Sequence, residues 1–175
     1  MTRLGWAALG AAALLPFAAS AFPTGAPWST LDRPDTACTS CHFGAPPVAE
    51  SEALSIEGLE DGAQTGETYT LTLRFDPADA AIMAYLAGFR SEGEDAGSVA
   101  AGEGQQVRET SVRSTEPLPV VEGGVAWTFD WTAPATPGLV ALHIAANAAN
   151  DDSSPLGDTI HVRTFEIEVA EQASE

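Results

Sequence analysis

The chain has 175 residues, of which 25 are acidic against seven arginines and no lysine, for a formal net charge of −18. That balance excludes nucleic acid and anionic lipid surfaces as partners, since both require a cationic face. The acidic residues are scattered and not gathered into one block, so they read as a solvated surface; attraction of a basic partner and adaptation to a salty medium are the sharper alternatives.

The N-terminus carries Arg3, an apolar run from Leu4 to Phe17, and the small-x-small site Ala19-Ser20-Ala21. This predicts a secretory signal peptide over residues 1–21. The run is short for a membrane span, contains Pro16 and has no cationic stop beyond it. With the signal removed, the expected product has no membrane span and is periplasmic or secreted.

Residues 22–50 (FPTGAPWSTLDRPDTACTSCHFGAPPVAE) hold Pro23, Pro27, Pro34, Pro46 and Pro47, and no helix or strand period survives among them. The only two cysteines of the chain lie here, in DTACTSCHFG. Cys38-Thr39-Ser40-Cys41-His42 fits the pattern of c-type haem attachment. The chemistry needs each part: two thiols three positions apart reach two vinyl groups of one haem, and the next imidazole falls at the proximal iron position. Three other readings stand beside it: a small disulfide, which an oxidising compartment permits; a thioredoxin-type pair, which belongs at a helix start in a βαβ unit; and a zinc site, which lacks a second ligand pair at short spacing.

The sequence therefore predicts one covalent haem c on Cys38 and Cys41, with His42 as proximal iron ligand and a partner group to fix its tautomer. Trp28 and Phe43, together with Pro46, Pro47 and Val48, are candidates to shield the ring. Gly44, Pro46 and Pro47 forbid a helix continuing past His42, so the small helical cytochrome fold is not expected.

From residue 51 to 170 the pattern becomes one of short strands between turn residues, followed by a tail over 171–175. TYTLTLRF places Tyr69, Leu71, Leu73 and Phe75 on one face and Thr68, Thr70, Thr72 and Arg74 on the other. VAWTFDW alternates likewise, with Val125, Trp127, Phe129 and Trp131 inward. Weaker strands are expected at 53–58, 85–90, 106–113, 138–146 and 158–169, and a short helix at the start of DPADAAIMAYLAGF. Seven or eight such strands indicate an all-β antiparallel sandwich behind an irregular attachment segment.

A distal iron ligand from this chain would be Met83, His143 or His161 once the signal is gone, and a five-coordinate or water-ligated iron is the other reading. A hairpin centred near Asp152 would set His143 opposite His161, both on one face. The ordinary readings are a core gap-filler for Met83 and plain strand residues for the histidines. The loop NDDSSPLGD, residues 150–158, has carboxylates enough to suggest calcium, but its order is not that of an EF-hand and a solvated loop is expected.

GFRSEGEDAGSVAAGEGQQV, the later TSVRSTEP, and WTFDWTAPATPGLVALHIAANAANDDSSPLGDTI together resemble the Reeler (reelin N-terminal) domain, in the bacterial form grouped with the choice-of-anchor type V proteins, where a CxxCH segment precedes the domain. The resemblance spans most of residues 38–169. It implies an immunoglobulin-like β-sandwich in an exported protein and does not imply an enzyme. Members often continue into a C-terminal anchor, whereas this chain stops at EQASE, so a soluble product is the expectation.

Two functions follow from these readings. One is an exported mono-haem c-type electron carrier that presents its acidic face to a redox protein partner. The alternative is a non-catalytic extracellular binding or adhesion module in which Cys38 and Cys41 form a structural disulfide.

Overall fold

A computed structural model describes residues 25–33, 37–60 and 62–172; the predicted signal peptide lies outside the described residues. Among the described residues twelve strands are formed: β1 (Leu54–Glu57), β2 (Ala63–Gln64), β3 (Thr68–Phe75), β4 (Ile82–Ser91), β5 (Glu94–Asp95), β6 (Ser98–Ala100), β7 (Gln105–Arg108), β8 (Ser111–Ser114), β9 (Leu118–Pro119), β10 (Val125–Thr132), β11 (Gly138–Ala149) and β12 (Thr159–Ala170). They make two sheets. A four-stranded sheet runs β1-β3-β10-β6, and a larger one runs β2-β12-β11-β4-β8-β7, with β5 and β9 also paired to β4.

The two sheets meet because alternation gives each one apolar face. From the smaller sheet, Leu71, Leu73, Phe75, Trp127, Phe129 and Trp131 point inward; from the larger, Met83, Tyr85, Ala87, Phe89, Val140, Leu142 and Ile144 meet them. Phe89 stacks on Trp131 with centroids 4.6 Å apart, and the buried indole donates to the Ala96 carbonyl at 3.1 Å. The outward face of β3 and β10 is a polar ladder as the alternation predicts: Thr68 pairs with Thr132 at 2.8 Å and Thr70 donates to Asp130 at 2.7 Å.

Three expectations are corrected. DPADAAIMAYLAGF contains no helix: Ile82–Ser91 is a strand, because Met83, Tyr85, Ala87 and Phe89 fill the core at period two and Asp79, at φ 61°, turns the chain into it. Residues 106–113 are not one strand but a tight hairpin of β7 and β8, turned by Glu109 at φ 56°. The β11–β12 hairpin pairs His143 with Thr164 and Ala146 with His161. That register is three residues from the expected one, and an odd shift puts the two imidazoles on opposite faces of the sheet.

The outer face of the larger sheet explains the small residues of β4 and β11. Ala84, Leu86 and Gly88 lie beside Asn147, Ala145 and His143 there, a shallow surface on which the N-terminal segment lies. A 3₁₀ turn, Trp28–Asp32, seats the buried Leu31 over Gly88; a Cβ at Gly88 would come within 2.2 Å of the Leu31 Cδ2. Arg113 holds the start of the strap, donating to the Ala26 carbonyl and lying 4.4 Å over the Trp28 ring.

Farther along, the strap becomes sheet-like. The Val48 N–H donates to the Ile160 carbonyl at 2.8 Å, the Val162 N–H to Val48 at 2.9 Å, and the Ser51 N–H to Val162 at 3.1 Å. These bonds cover the first half of the β12 edge, and β2 pairs in parallel with its last residues. An edge that could template aggregation is thereby closed from within the chain.

Candidate functional site

The site begins with one turn of 3₁₀ helix, Cys38–Ser40. The N–H groups of Cys41 and His42 both donate to the Cys38 carbonyl, at 3.2 and 3.0 Å. In a 3₁₀ turn residues i and i+3 eclipse, so Cys38 and Cys41 present their thiols on the same side. Cys41 is exposed, Cys38 half-buried, and no disulfide joins them.

The next residues clamp this turn to the tip of the β11–β12 hairpin. The Phe43 N–H donates to the Pro155 carbonyl at 2.8 Å, and the Gly157 N–H returns a bond to Phe43 at 3.1 Å. The clamp brings His42 against Asp158, with Nδ1 2.6 Å from Oδ2. The carboxylate is buried, its side chain 4% exposed against 29% for His42. Asn147 also donates to this Oδ2, at 3.2 Å.

That geometry fixes the imidazole. An ionised carboxylate only accepts, so the ring nitrogen facing it is the donor, and in the neutral ring the lone pair is then on Nε2. The Asn147 amide lies 3.3 Å from the same Nδ1; with both nitrogens donating, its useful bond is the one to Asp158. A histidine oriented by a carboxylate on Nδ1 is the arrangement of a metal-ligating histidine with its supporting shell. Asp158 Oδ1 and Asn147 Oδ1 are buried without a protein partner.

Cys38, Cys41 and His42 are the residues that could hold a covalently attached cofactor. Among the described residues no three His, Cys, Asp or Glu side chains gather as a metal-ion site, so thiols and imidazole do not converge on one point as zinc requires. Apolar surface also lies at hand: Phe43 is 44% exposed, Leu156 is 60% exposed, and the two are bridged to each other. Val48, also exposed, follows on the same strap.

The other predicted residues are placed elsewhere. Trp28 is engaged by Arg113 on β8, two strands from Asn147 in the sheet order. Met83 is fully buried between the sheets. His161 also faces inward, hydrogen-bonded to the Ser51 hydroxyl at 2.7 Å and edge-on to Phe75 at 5.0 Å. His143 lies on the outer face, bonded to the Thr164 hydroxyl at 3.0 Å. Burial depresses both imidazole pKa values, with the Arg90 charge adding to the effect at His143.

Asp158 and Asn147 are the residues that the sequence reading does not assign. Asp158 stands at the end of the carboxylate-bearing loop, whose other members turn inward on themselves: Asp152 N–H donates to Asn150 Oδ1 at 3.2 Å and Ser154 N–H to Asp152 Oδ1 at 2.8 Å. That is a solvated loop of Asx turns. The signal for the two missed residues lay in the NAAN and GD segments flanking it, where hydrogen-bonding side chains end one long strand and begin the next.

Fold and site together define a β-sandwich with an N-terminal strap that carries a CxxCH turn onto a hairpin tip. The fold is Reeler-like: the chain superposes on the reelin-N domain of F-spondin with a TM-score of 0.52 and 21% identity, covering 78% of this chain and 96% of that one. Two crystal structures of the human F-spondin reeler domain align with TM-scores of 0.49 and 0.48, at 15% and 19% identity, covering 70% and 74% of this chain and 94% and 100% of theirs. No protein-family model and no curated protein sequence matches the chain. No helix among the described residues is long and apolar enough to cross a membrane.

Proposed function

We propose that this chain is an exported, covalently haem-bearing β-sandwich protein that takes part in electron transfer. The observation that carries the reading is the His42 Nδ1–Asp158 Oδ2 contact of 2.6 Å beside two cysteines spaced one 3₁₀ turn apart. Cys38 and Cys41 would hold the group, each S–H adding across a vinyl double bond so that a C–S bond forms and the proton goes to the neighbouring carbon, with nothing oxidised. His42 would occupy the proximal position through Nε2, and Asp158 would hold its Nδ1 proton. Phe43 and Leu156 would lie against the ring and exclude water from it. When bound, such a group supplies one-electron redox chemistry and an axial coordination position. The acidic surface suits a basic redox partner.

The test is direct. The full precursor is produced in a host with the haem-ligation machinery, and the denatured product is stained for haem and read by its alkaline pyridine spectrum. One haem surviving denaturation, lost in Cys38→Ala/Cys41→Ala, is the expected outcome; apoprotein alone would sink the reading.

A second reading rests on a different observation, the likeness in fold to the F-spondin reelin-N domain. There the chain is a non-catalytic extracellular binding module, the two cysteines staple the strap, and the His42–Asp158 pair ties strap to hairpin. It predicts a haem-free protein with full thermal stability from the same host.

A further inference from the structure

Resting on the basic partner of the proposed function, we infer where that partner docks: on the outer face of the larger sheet between Leu139 and His143, with one cationic side chain entering a cavity there. The surface belongs to the sandwich and is the same with or without haem. Side-chain alternation sets it. Val140, Leu142, Ile167 and Val169 are buried in the core, so Leu139, Ala141 and His143 on β11 and Thr164, Glu166 and Glu168 on β12 face outward. The register puts Leu139 opposite Glu168, Ala141 opposite Glu166 and His143 opposite Thr164, while Arg90 flanks Ala141 from β4.

The strap shapes the upper end of this surface into a cavity of about 560 Å³. Leu31 borders it from the outgoing limb of the strap and Glu50 from the returning limb. Ala141, His143 and Thr164 form its floor, and Glu92, in the turn between β4 and β5, borders it on the remaining side. Below the cavity the face stays open to solvent: Leu139 is 55% exposed, and Glu166 and Glu168 are exposed beside it.

Charge decides what such a surface receives. The Arg90 guanidinium is already met by Asp95 at 2.6 Å. Arg163 also borders the cavity, but alternation turns its side chain to the other face, where it donates to the Leu54 carbonyl at 2.6 Å and lies over the Phe165 ring. On the floor, burial and the Arg90 charge hold His143 below the ordinary imidazole pKa, so it is neutral at pH 7, and its Nδ1 is engaged by Thr164. Glu50 and Glu92 therefore set the sign at the cavity, and Glu166 and Glu168 carry it down the face, which complements an ammonium or guanidinium group. The exposed Leu139 among them supplies apolar surface for the stem of a lysine or arginine. From His143 to Leu139 is four positions, about 13 Å at 3.3 Å per residue, a span for a peptide with several cations and more than a single free amine covers.

The experiment uses the mature full chain, made with the haem-ligation machinery, and its Cys38→Ala/Cys41→Ala variant. Each is titrated at low salt into a fluorescein-labelled oligolysine peptide followed by anisotropy. Saturable binding is expected in both, with amide chemical-shift changes gathered at Leu139–His143 and Thr164–Glu168. Glu50→Gln/Glu92→Gln should weaken binding about tenfold, whereas Glu103→Gln/Glu122→Gln, which removes the same charge outside the cavity, should weaken it less than about twofold. Equal weakening by the two pairs would mean diffuse attraction and overturns the inference. So does an absence of binding, equal binding of fully acetylated oligolysine, shift changes centred on the hairpin tip instead, or competition by butylamine at the same concentration as unlabelled peptide. Binding confined to the haem-bearing form also overturns it and leaves the haem reading intact. A chain that carries no haem yet binds the peptide at these residues removes the haem reading and supports the docking surface.

Discussion

Replacing Asp158 by Asn keeps the size and one acceptor oxygen but removes the negative charge that faces the His42 Nδ1 at 2.6 Å. On the proposed haem reading, that charge would draw the Nδ1 proton, make Nε2 a stronger donor and favour the ferric state. A charge-assisted hydrogen bond contributes about 1.5–3 kcal/mol and a neutral one about 0.5–1.5 kcal/mol, so the substitution forgoes on the order of 1 kcal/mol. Asp158 is buried, with 4% of its side chain exposed, so water does not screen the effect. If that difference is felt in the ferric state only, the one-electron equilibrium moves by about fivefold, an upward shift of the midpoint potential of about 40 mV. The assay is a spectroelectrochemical titration of both proteins at pH 7, with equal haem content and matching circular dichroism as controls. A potential that stays within about 10 mV, or that falls, would refute the claim that Asp158 acts on the iron through His42.

Three further outcomes are expected. Leu31→Ala removes the side chain that seats the strap on Gly88 and should cost about 2–3 kcal/mol, read as a lower urea midpoint and faster proteolytic clipping within residues 25–33. Gly97→Ala places a Cβ 2.1 Å from the Thr132 carbonyl oxygen, at a φ of 80°, and should destabilise by more than about 2 kcal/mol. Stability should also fall on acidification from pH 7 toward 5.5. Burial holds His143 and His161 below the ordinary imidazole pKa of about 6.5, so the unfolded chain takes up protons first. The folded-state advantage is whole above that value and is lost as pH drops through the depressed ones. His161→Leu should flatten the urea midpoint across this window, and an unchanged pH slope would count against the assignment.

The sandwich was legible where the side-chain period was unambiguous. Thr68–Phe75 and the strand from Val125 each bury one face and bond across the other, because their alternation admits no second reading. Ile82–Ser91 misled because its apolar residues are continuous: Ile, Met, Ala, Tyr and Leu in a row satisfy a helical stripe as well as a doubly covered strand, and only packing decides. Both its faces are in fact covered, one by the core and the other by Leu31 and the strap. The hairpin register failed for a related reason, since a long polar loop leaves pairing to be set by contacts farther along β11 and β12. At the candidate site, the CxxCH spacing singled out Cys38, Cys41 and His42 from local sequence alone. Asp158 and Asn147 could not be announced so, because their partnership with His42 spans 116 and 105 positions and exists only after the strap has docked.

That docking also explains how the CxxCH turn is held without a helical scaffold. On one side, Asn147 and Asp158 are set relative to each other by the β11–β12 ladder, in which Asn147 lies opposite Ile160. On the other, His42 is set by backbone bonds from Phe43 and Val48 to the same hairpin and strand. Each half of the His–Asp contact thus hangs from main-chain hydrogen bonds, which hold position more tightly than long side chains on a loop would. A helix orients a CxxCH group by its own internal bonds; here a strap borrows the edge of a sheet for the same purpose. The edge is closed, the small-residue face is covered and the imidazole is aimed by one continuous segment, so the docking of the strap and the orientation of His42 are constrained together.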